Sequence, residues 1–364
     1  MTLTKKRPTF TRLLVCILVG VLVSGGLLLA AHLVLGRMMR MNFLTKDFFI
    51  LAAISAGLIA LLLLFPANRP ARFFKNVGRL LLIVVLVAAL WAFGGVRNVQ
   101  NEMLYLKVPA DARAEQALSA LSNLEKLSIP GPGGETYGGW LMKNAPGKAG
   151  LVLYFGGNGE QSASSMESFV RRAQSGLFEG YNLMMVDYPN YGHSTGETGE
   201  EGAFRMAQAA YGYALSRPDV SGDRIVLAAW SLGTGTAVRL AAQRQPAGLI
   251  LLAPYFSGKE LVDGFTRDQM HLDIPVPIPI RNPYKSYEYA AQYNGPALVV
   301  AARDDGMVAF GQSERLEARF PDAALYALET GGHSGMWYDD GAVAAIKAFL
   351  GGLLQPPPAA GRPV

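Results

Sequence analysis

The stretch "DRIVLAAWSLGTGTAVRLAAQR", Asp223 to Arg244, changes its hydrophobic pattern at Ser231. Before this serine, apolar residues run without alternation from Ile225 to Ala229, which is typical of a strand buried on both faces of a parallel sheet. After it, apolar residues recur at the spacing of a helix. The stretch therefore predicts a buried strand that turns sharply into a helix, with a serine at the turn.

The sequence around this stretch alternates between strand-like and helical segments. The strand-like runs are TYGGWLMK, GLVLYF, NLMMVDY, RIVLAAW, GLILLAP, ALVVAA and ALYALE, and helical patterns separate most of them. Repeated strand, helix, strand order predicts an α/β fold with a mostly parallel central sheet and helices on both faces. Ligands of such sheets bind beyond the carboxyl ends of the strands.

The basic residues of the chain are concentrated in its first hundred residues. That part carries twelve Lys and Arg against one acid, Asp47, whereas the remainder carries 21 basic and 27 acidic residues. A nucleic-acid-binding protein would need a basic surface on its folded part, and here that part is acidic. We therefore expect no nucleic-acid partner.

Three apolar runs in the basic part predict three transmembrane helices, at about residues 13–35, 48–65 and 77–95. The third run is long enough to span the membrane only if it includes Val77 to Arg79, with the charged end of the Arg79 side chain at the membrane interface. A cleaved signal peptide is the alternative for the first run, but no small-residue cleavage site precedes further apolar sequence. Eight basic residues flank one side of these runs and four the other, which favours a cytoplasmic N-terminus. With three crossings, the following domain would lie on the extracytoplasmic side of the cytoplasmic (inner) membrane.

These patterns divide the chain into four parts. Residues 1–100 are expected to form a membrane anchor, 101–125 a connector helix, 126–353 the α/β domain and 354–364 a disordered Pro-rich tail. The single Cys16 excludes an intramolecular disulfide. The sequence shows no metal-ligand cluster, and its glycine-rich loops lack the lysine of a phosphate-binding loop, so we expect no cofactor.

A serine on a sharp strand-to-helix turn matches the nucleophile elbow G-x-S-x-G, written here from Ala229 to Gly233. The partners of such a serine follow it in the order acid, then histidine. Asp304 and Asp305 come after the strand ALVVAA, and His333 comes after ALYALE. These positions predict a triad in which either aspartate supplies the acid. The other three histidines, His32, His193 and His271, fit the general base less well because of their places in the chain.

Together these motifs resemble the α/β-hydrolase superfamily, and within it the Bem46-like serine hydrolases, over about residues 126–353. The family's H-G-N loop is matched by LYFGGNGE, with Gly156 in place of the histidine, and its D-Y-x-G-Y-G-x-S-x-G turn by VDYPNYGHSTG. The resemblance implies that Asp305 is the triad acid. It also implies that the backbone N–H of Asn158 joins that of Leu232 in an oxyanion hole.

The motifs and the resemblance favour a membrane-anchored serine hydrolase that cleaves a small-molecule or lipid-like ester or thioester through Ser231, His333 and Asp305. A peptidase or amidase is the alternative, since the same triad serves both reactions. A catalytically silent binding module is disfavoured because no triad member is missing. Asp187 is expected to be structural.

Substrate-pocket candidates come from the elbow and from the segment MHLDIPVPIPIRNPYKSYEYA. Its prolines favour an extended backbone, so Ile274, Val276 and Ile278 could line an apolar wall near Trp230. The alternative is that these residues pack on the edge of the sheet.

Overall fold

The computed structural model describes residue 101, residues 104–270 and 280–354, and four single N-terminal positions, Leu14, Leu18, Gly26 and Ala53; for 265–270 it describes the backbone alone. The chain divides into two units between Gln100 and Asn101. The three expected transmembrane helices, apart from those four positions, and the tail from residue 355 lie outside the described residues. Within the described ranges, no helix is both long and apolar enough to cross a membrane.

An eight-stranded sheet organises the second unit. Its strand order is β1-β2-β4-β3-β5-β6-β7-β8. β1 pairs antiparallel with β2, and β2 with β4, whereas every pairing from β4 across to β8 is parallel. The prediction of a mostly parallel sheet is therefore confirmed. The strands are β1 Leu124–Pro130, β2 Thr136–Met142, β3 Ala149–Phe155, β4 Tyr181–Val186, β5 Val220–Trp230, β6 Gly248–Leu252, β7 Ala297–Ala302 and β8 Ala323–Leu328.

Helices cover both faces of the sheet, as the alternating sequence predicted. One buried cluster joins the sheet to α1, α2 and α8, and a second joins it to α3, α4, α6 and α7. The helices are α1 Ala112–Ser119, α2 Ser162–Ala173, α3 Glu200–Ser216, α4 Leu232–Arg244, α5 Gly258–Met270, α6 Ser286–Ala290, α7 Phe310–Glu317 and α8 Asp340–Leu354.

β5 lies in the middle of the sheet, between β3 and β6. Ile225, Leu227 and Ala229 pack into the cluster with α3 and α4, while Val226 and Ala228 pack into the cluster with α1, α2 and α8. Because both faces are covered, every side chain of this part of the strand is apolar, which explains the run without alternation.

The region before β2 differs from the sequence-based expectation. Within the expected connector 101–125, Ala112–Ser119 forms a helix, and Asp111 caps its first turn by accepting hydrogen bonds from the N–H groups of Arg113 and Ala114. Leu124 already belongs to β1, an edge strand of the same sheet. Residues 124 and 125, which the sequence assigned to a connector helix, therefore belong to a strand of the sheet.

Candidate active site

The turn between β5 and α4 holds Ser231 in a strained backbone conformation. Its φ is 51° and its ψ is −119°, values that a residue with a side chain rarely adopts. The Ser231 N–H donates to the carbonyl of Leu252 at 2.9 Å, and its carbonyl accepts from the Thr234 N–H at 3.0 Å and the Thr234 hydroxyl at 2.6 Å. These bonds fix both sides of the turn, so the serine is presented beyond the end of the strand.

Small residues at the elbow allow α4 to begin directly against the end of β3. A Cβ at Gly233 would collide with the carbonyl oxygen of Phe155 and lie 2.7 Å from that of Gly156. Ala229, which replaces the first glycine of the motif, is fully buried, and the turn accommodates its methyl group. The two glycine positions of the motif therefore differ: position 233 admits no side chain, whereas position 229 admits a methyl group.

A continuous hydrogen-bonded chain links the serine to a histidine and an acid. His333 Nε2 lies 2.8 Å from Ser231 Oγ, and His333 Nδ1 lies 2.9 Å from Asp305 Oδ2 and 3.1 Å from Asp305 Oδ1. A carboxylate has only acceptors, so Nδ1 carries the hydrogen and Nε2 is left to accept the proton of the serine hydroxyl. The side chain of Asp305 is 2 % exposed and that of His333 17 %.

The structure distinguishes the two neighbouring aspartates. Asp305 Oδ1 also accepts from the N–H groups of Met307 at 2.8 Å and Val308 at 3.0 Å, which orients its carboxylate towards the imidazole. Asp304 instead accepts from the N–H groups of Gly331 at 3.2 Å and Gly332 at 2.8 Å. These two bonds lower the pKa of the Asp304 carboxyl. Asp304 thus stabilises the loop that carries His333, whereas Asp305 contacts the histidine itself.

The two expected oxyanion donors lie at the ends of adjacent strands. Leu232 is the first residue of α4, where N–H groups have no partner within the helix and the helix dipole favours negative charge. Asn158 lies in the loop that follows β3, the strand paired with β5. Its Oδ1 accepts from the Leu106 N–H at 2.7 Å and the Tyr191 hydroxyl at 3.3 Å. These contacts tie the loop to the segment before α1 and to the turn after β4.

Trp230 connects this loop to the histidine. Its Nε1 donates to the backbone carbonyl of His333 at 3.0 Å, and the two rings lie 5.3 Å apart between centroids. A Cβ at Gly157 would lie 2.7 Å from the indole, so the loop after β3 packs closely on the same ring. The partly buried indole packs on the cluster with α1, α2 and α8. The other pocket candidates, Ile274, Val276 and Ile278, lie outside the described residues, and the backbone before them forms α5.

Two buried or partly buried acidic residues near the site were not predicted to be catalytic from the sequence. Asp187 accepts from the Ser162 N–H at 2.6 Å at the start of α2, and burial raises the pKa of its carboxyl to about 6. Glu160 accepts from the loop residue Gly157 and from Ser165, and burial raises the pKa of its carboxyl. Asp187 has the structural position expected of it. The contacts of Glu160 had no signal in the sequence, because they depend on how the loop folds back.

Sequence comparison finds relatives of this chain. The chain is 31 % identical over 274 residues to Rv2307c, an uncharacterized protein of Mycobacterium tuberculosis, which covers 73 % of this chain and 94 % of that protein. It is also 24 % identical over 219 residues to alpha/beta hydrolase domain-containing protein 17C of Xenopus tropicalis, covering 60 % of this chain and 66 % of that protein. This chain belongs to the α/β-hydrolase superfamily. Within it, the chain and the mycobacterial protein are members of one family.

Solved structures share the α/β-hydrolase fold at low sequence identity. An α/β hydrolase from Vibrio vulnificus superposes with a TM-score of 0.54 at 16 % identity, covering 71 % of this chain and 92 % of that one. The ferulic acid complex of Est1E from Butyrivibrio proteoclasticus gives 0.53 at 20 % identity, covering 63 % and 99 %. No protein-family model matches the chain. The structural likeness establishes the fold.

Proposed function

We propose that this protein is a serine hydrolase that cleaves an ester or thioester through a covalent acyl-enzyme, with Ser231, His333 and Asp305 as its triad. The observation that carries the proposal is the unbroken hydrogen-bonded chain from Ser231 Oγ through the imidazole to the buried carboxylate. A buried serine that merely caps a helix would need neither partner. The strained backbone at Ser231 also supports a functional reading, because such strain concentrates at active sites.

The proposed reaction proceeds in two halves. Ser231 Oγ attacks the substrate carbonyl while His333 Nε2 takes its proton, and the tetrahedral intermediate collapses as the imidazolium gives that proton to the leaving alcohol or thiol. Water, deprotonated by the same nitrogen, then attacks the acyl-enzyme, and the acid and the free serine are released. Asp305 keeps the hydrogen on Nδ1 and stabilises the imidazolium formed in each half.

The backbone N–H groups of Leu232 and Asn158 are the proposed donors to the oxyanion. Each such donor stabilises the transition state by about 3 kcal/mol. The start of α4 adds the favourable field of a helix N-terminus. The Tyr255 hydroxyl donates to the carbonyl of Leu232 at 3.1 Å, which helps to hold the first turn of this helix in place.

Labelling with a fluorophosphonate probe tests the nucleophile. We expect the full chain to be labelled and Ser231→Ala to lose labelling and ester turnover together, whereas Ser175→Ala, at an exposed serine just after α2, keeps both. Undiminished labelling of Ser231→Ala would contradict the proposal. Turnover of matched ester, thioester and amide substrates by the same preparation separates the proposed activity from that of a peptidase or amidase.

We further propose that residues 1–100 anchor the enzyme in the cytoplasmic membrane and that the hydrolase domain is extracytoplasmic, as in a membrane-bound Bem46-like hydrolase. The support is the three apolar runs and the distribution of flanking basic residues. Alkaline phosphatase fused after Gly351 is expected to be active. An inactive phosphatase together with a fluorescent GFP fusion at the same position would reverse the topology.

The proposed substrate carries an acyl group of moderate length. Ile274, Val276 and Ile278 would line one wall of its pocket, since the prolines between them favour an extended backbone. Each buried methylene contributes about 0.8 kcal/mol until the pocket is full, so activity should rise from acetyl towards octanoyl esters. Equal activity on acetyl to octanoyl esters, or an unchanged preference for acyl-chain length in Ile278→Ser, would contradict the proposed pocket. It would not affect the proposed triad.

A further inference from the structure

The loop after β3 is folded back on itself by one side chain. Gly157 and Glu160 close a turn in which the Glu160 N–H donates to the Gly157 carbonyl at 3.2 Å. The carboxylate of Glu160 then returns to the start of this turn, where its Oε2 accepts from the Gly157 N–H at 2.7 Å. The backbone and the side chain of one glutamate therefore hold both polar groups of Gly157.

The same carboxylate is tied to the strand before the loop and to the helix after it. Its Oε1 accepts from the Ser165 hydroxyl in α2 at 2.6 Å, and its Oε2 accepts from the Tyr154 hydroxyl in β3 at 3.1 Å. With the Gly157 N–H, three donors from three segments converge on one group. The carboxylate therefore connects the loop, the strand and the helix and fixes the distances between them.

The glutamate also explains the glycine that departs from the family's H-G-N loop. A Cβ at Gly156 would lie 2.9 Å from Glu160 Oε2 and 3.1 Å from Glu160 Cβ. The space beside the backbone at position 156 is thus taken by the carboxylate. On the far side, the Tyr188 hydroxyl donates to the Gly156 carbonyl at 2.8 Å.

We infer that Glu160 is a positioning residue that orients the Asn158 N–H for the oxyanion, an inference that rests on the serine hydrolase activity proposed above. A peptide unit is planar and trans, so its carbonyl and its N–H point in opposite directions. The Gly157 carbonyl and the Asn158 N–H belong to one such unit. Fixing the carbonyl through the Glu160 N–H, and the preceding N–H through the Glu160 carboxylate, therefore fixes the direction of the Asn158 donor.

Three variants of the full chain, assayed on one ester for kcat and KM, test this inference. Glu160→Ala releases all three donors and is expected to lower kcat about tenfold or more, since a misdirected oxyanion donor loses part of its effect on the transition state. KM should stay near the wild-type value, because the acyl group is still bound. Glu160→Gln keeps an oxygen acceptor for the Gly157 N–H and should recover most of the lost kcat. Glu167→Ala, on the outer part of α2, is the matched control and should leave kcat unchanged.

Gly156→Ala provides a test that does not depend on the folding of Glu160→Ala. The added methyl presses on the carboxylate, so kcat should fall in Gly156→Ala alone, whereas the same substitution should cost less in a Glu160→Ala background, where the carboxylate is gone. A kcat equal to wild type in both Glu160→Ala and Gly156→Ala, or a change in KM alone, would overturn the inference. A wild-type chain without ester turnover would instead overturn the proposed function, and the inference with it.

Discussion

The indole Nε1 of Trp230 donates a hydrogen bond to the backbone carbonyl of His333 at 3.0 Å. The donor immediately precedes the serine in sequence, and the acceptor belongs to the histidine that contacts that serine. The two residues are therefore connected twice, once through the Ser231 hydroxyl and once through the indole. This second connection holds the backbone of the His333 loop at a fixed distance from the elbow.

Trp230→Phe keeps an aromatic ring against Gly157 but removes the donor to His333. Loss of one such bond costs about 1 kcal/mol, so we expect kcat to fall about fivefold. The preference among acyl esters of different length should not change if the indole acts through His333. A changed preference for acyl-chain length together with a normal kcat would instead indicate that Trp230 lines the substrate pocket.

Asp305→Asn is expected to lower kcat by up to about 10⁴-fold, because an amide cannot hold the hydrogen on Nδ1 and stabilise the imidazolium. Asp304→Asn keeps an oxygen that can accept from the Gly331 or Gly332 N–H, so its kcat should fall far less. Steady-state kinetics of both variants at one pH provide the comparison. A larger loss of kcat in Asp304→Asn than in Asp305→Asn would identify Asp304 as the triad acid.

Gly233→Ala and Gly212→Ala are expected to have opposite effects on stability. A methyl at Gly233 meets the Phe155 carbonyl, and such overpacking costs about 1–3 kcal/mol. A methyl at Gly212, inside α3, has no atom within 4 Å and should stabilise the helix by about 1 kcal/mol. Apparent melting temperatures of the purified full chain should therefore fall in the first variant and rise in the second. A lower melting temperature for Gly212→Ala would contradict this account.

Asp187 predicts a dependence of stability on pH. Burial raises the pKa of its carboxyl from 3.8 to about 6 in the folded chain, so the folded state holds the proton more tightly. The stabilisation is complete below about pH 4 and is lost as pH rises through about 6. Asp187→Asn stays neutral, so the variant should gain about 1–3 kcal/mol relative to wild type between those pH values.

Melting temperatures of wild type and Asp187→Asn at several pH values between 4 and 7 measure this difference. The imidazole of His193 exerts an electrostatic effect on Asp187, so the comparison is repeated in a His193→Gln background. A difference that does not vary with pH would show that the carboxyl of Asp187 does not titrate in this range.

The parallel part of the sheet and the positions of the triad could be predicted because both follow from local pattern. A strand covered on both faces must be apolar throughout, and a polar residue directly after it lies at the carboxyl edge of the sheet. Ser231, Asp305 and His333 follow β5, β7 and β8, which lie in one half of the sheet. Their proximity therefore required only the order of the strands.

Other elements gave no such signal. β1 is an edge strand in which exposed and buried residues mix, and Glu125 and Lys126 give it the composition of a linker. α5 lies just before three prolines, and the sequence-based expectation for that region, an extended backbone, was based on those prolines. The choice between Asp304 and Asp305 depends on backbone hydrogen bonds from Met307 and Val308, and no pattern of side-chain types encodes those bonds.

The separation of 102 residues between Ser231 and His333 has a consequence during protein synthesis. At about 5–20 residues per second, the ribosome completes the histidine about 5–20 seconds after the serine. During that interval the nascent chain contains Ser231 but not His333, and β6 to β8, the strands that precede the histidine, are still being synthesised. The proposed nucleophile therefore has no histidine to activate it until the chain has been made beyond the last strand of the sheet.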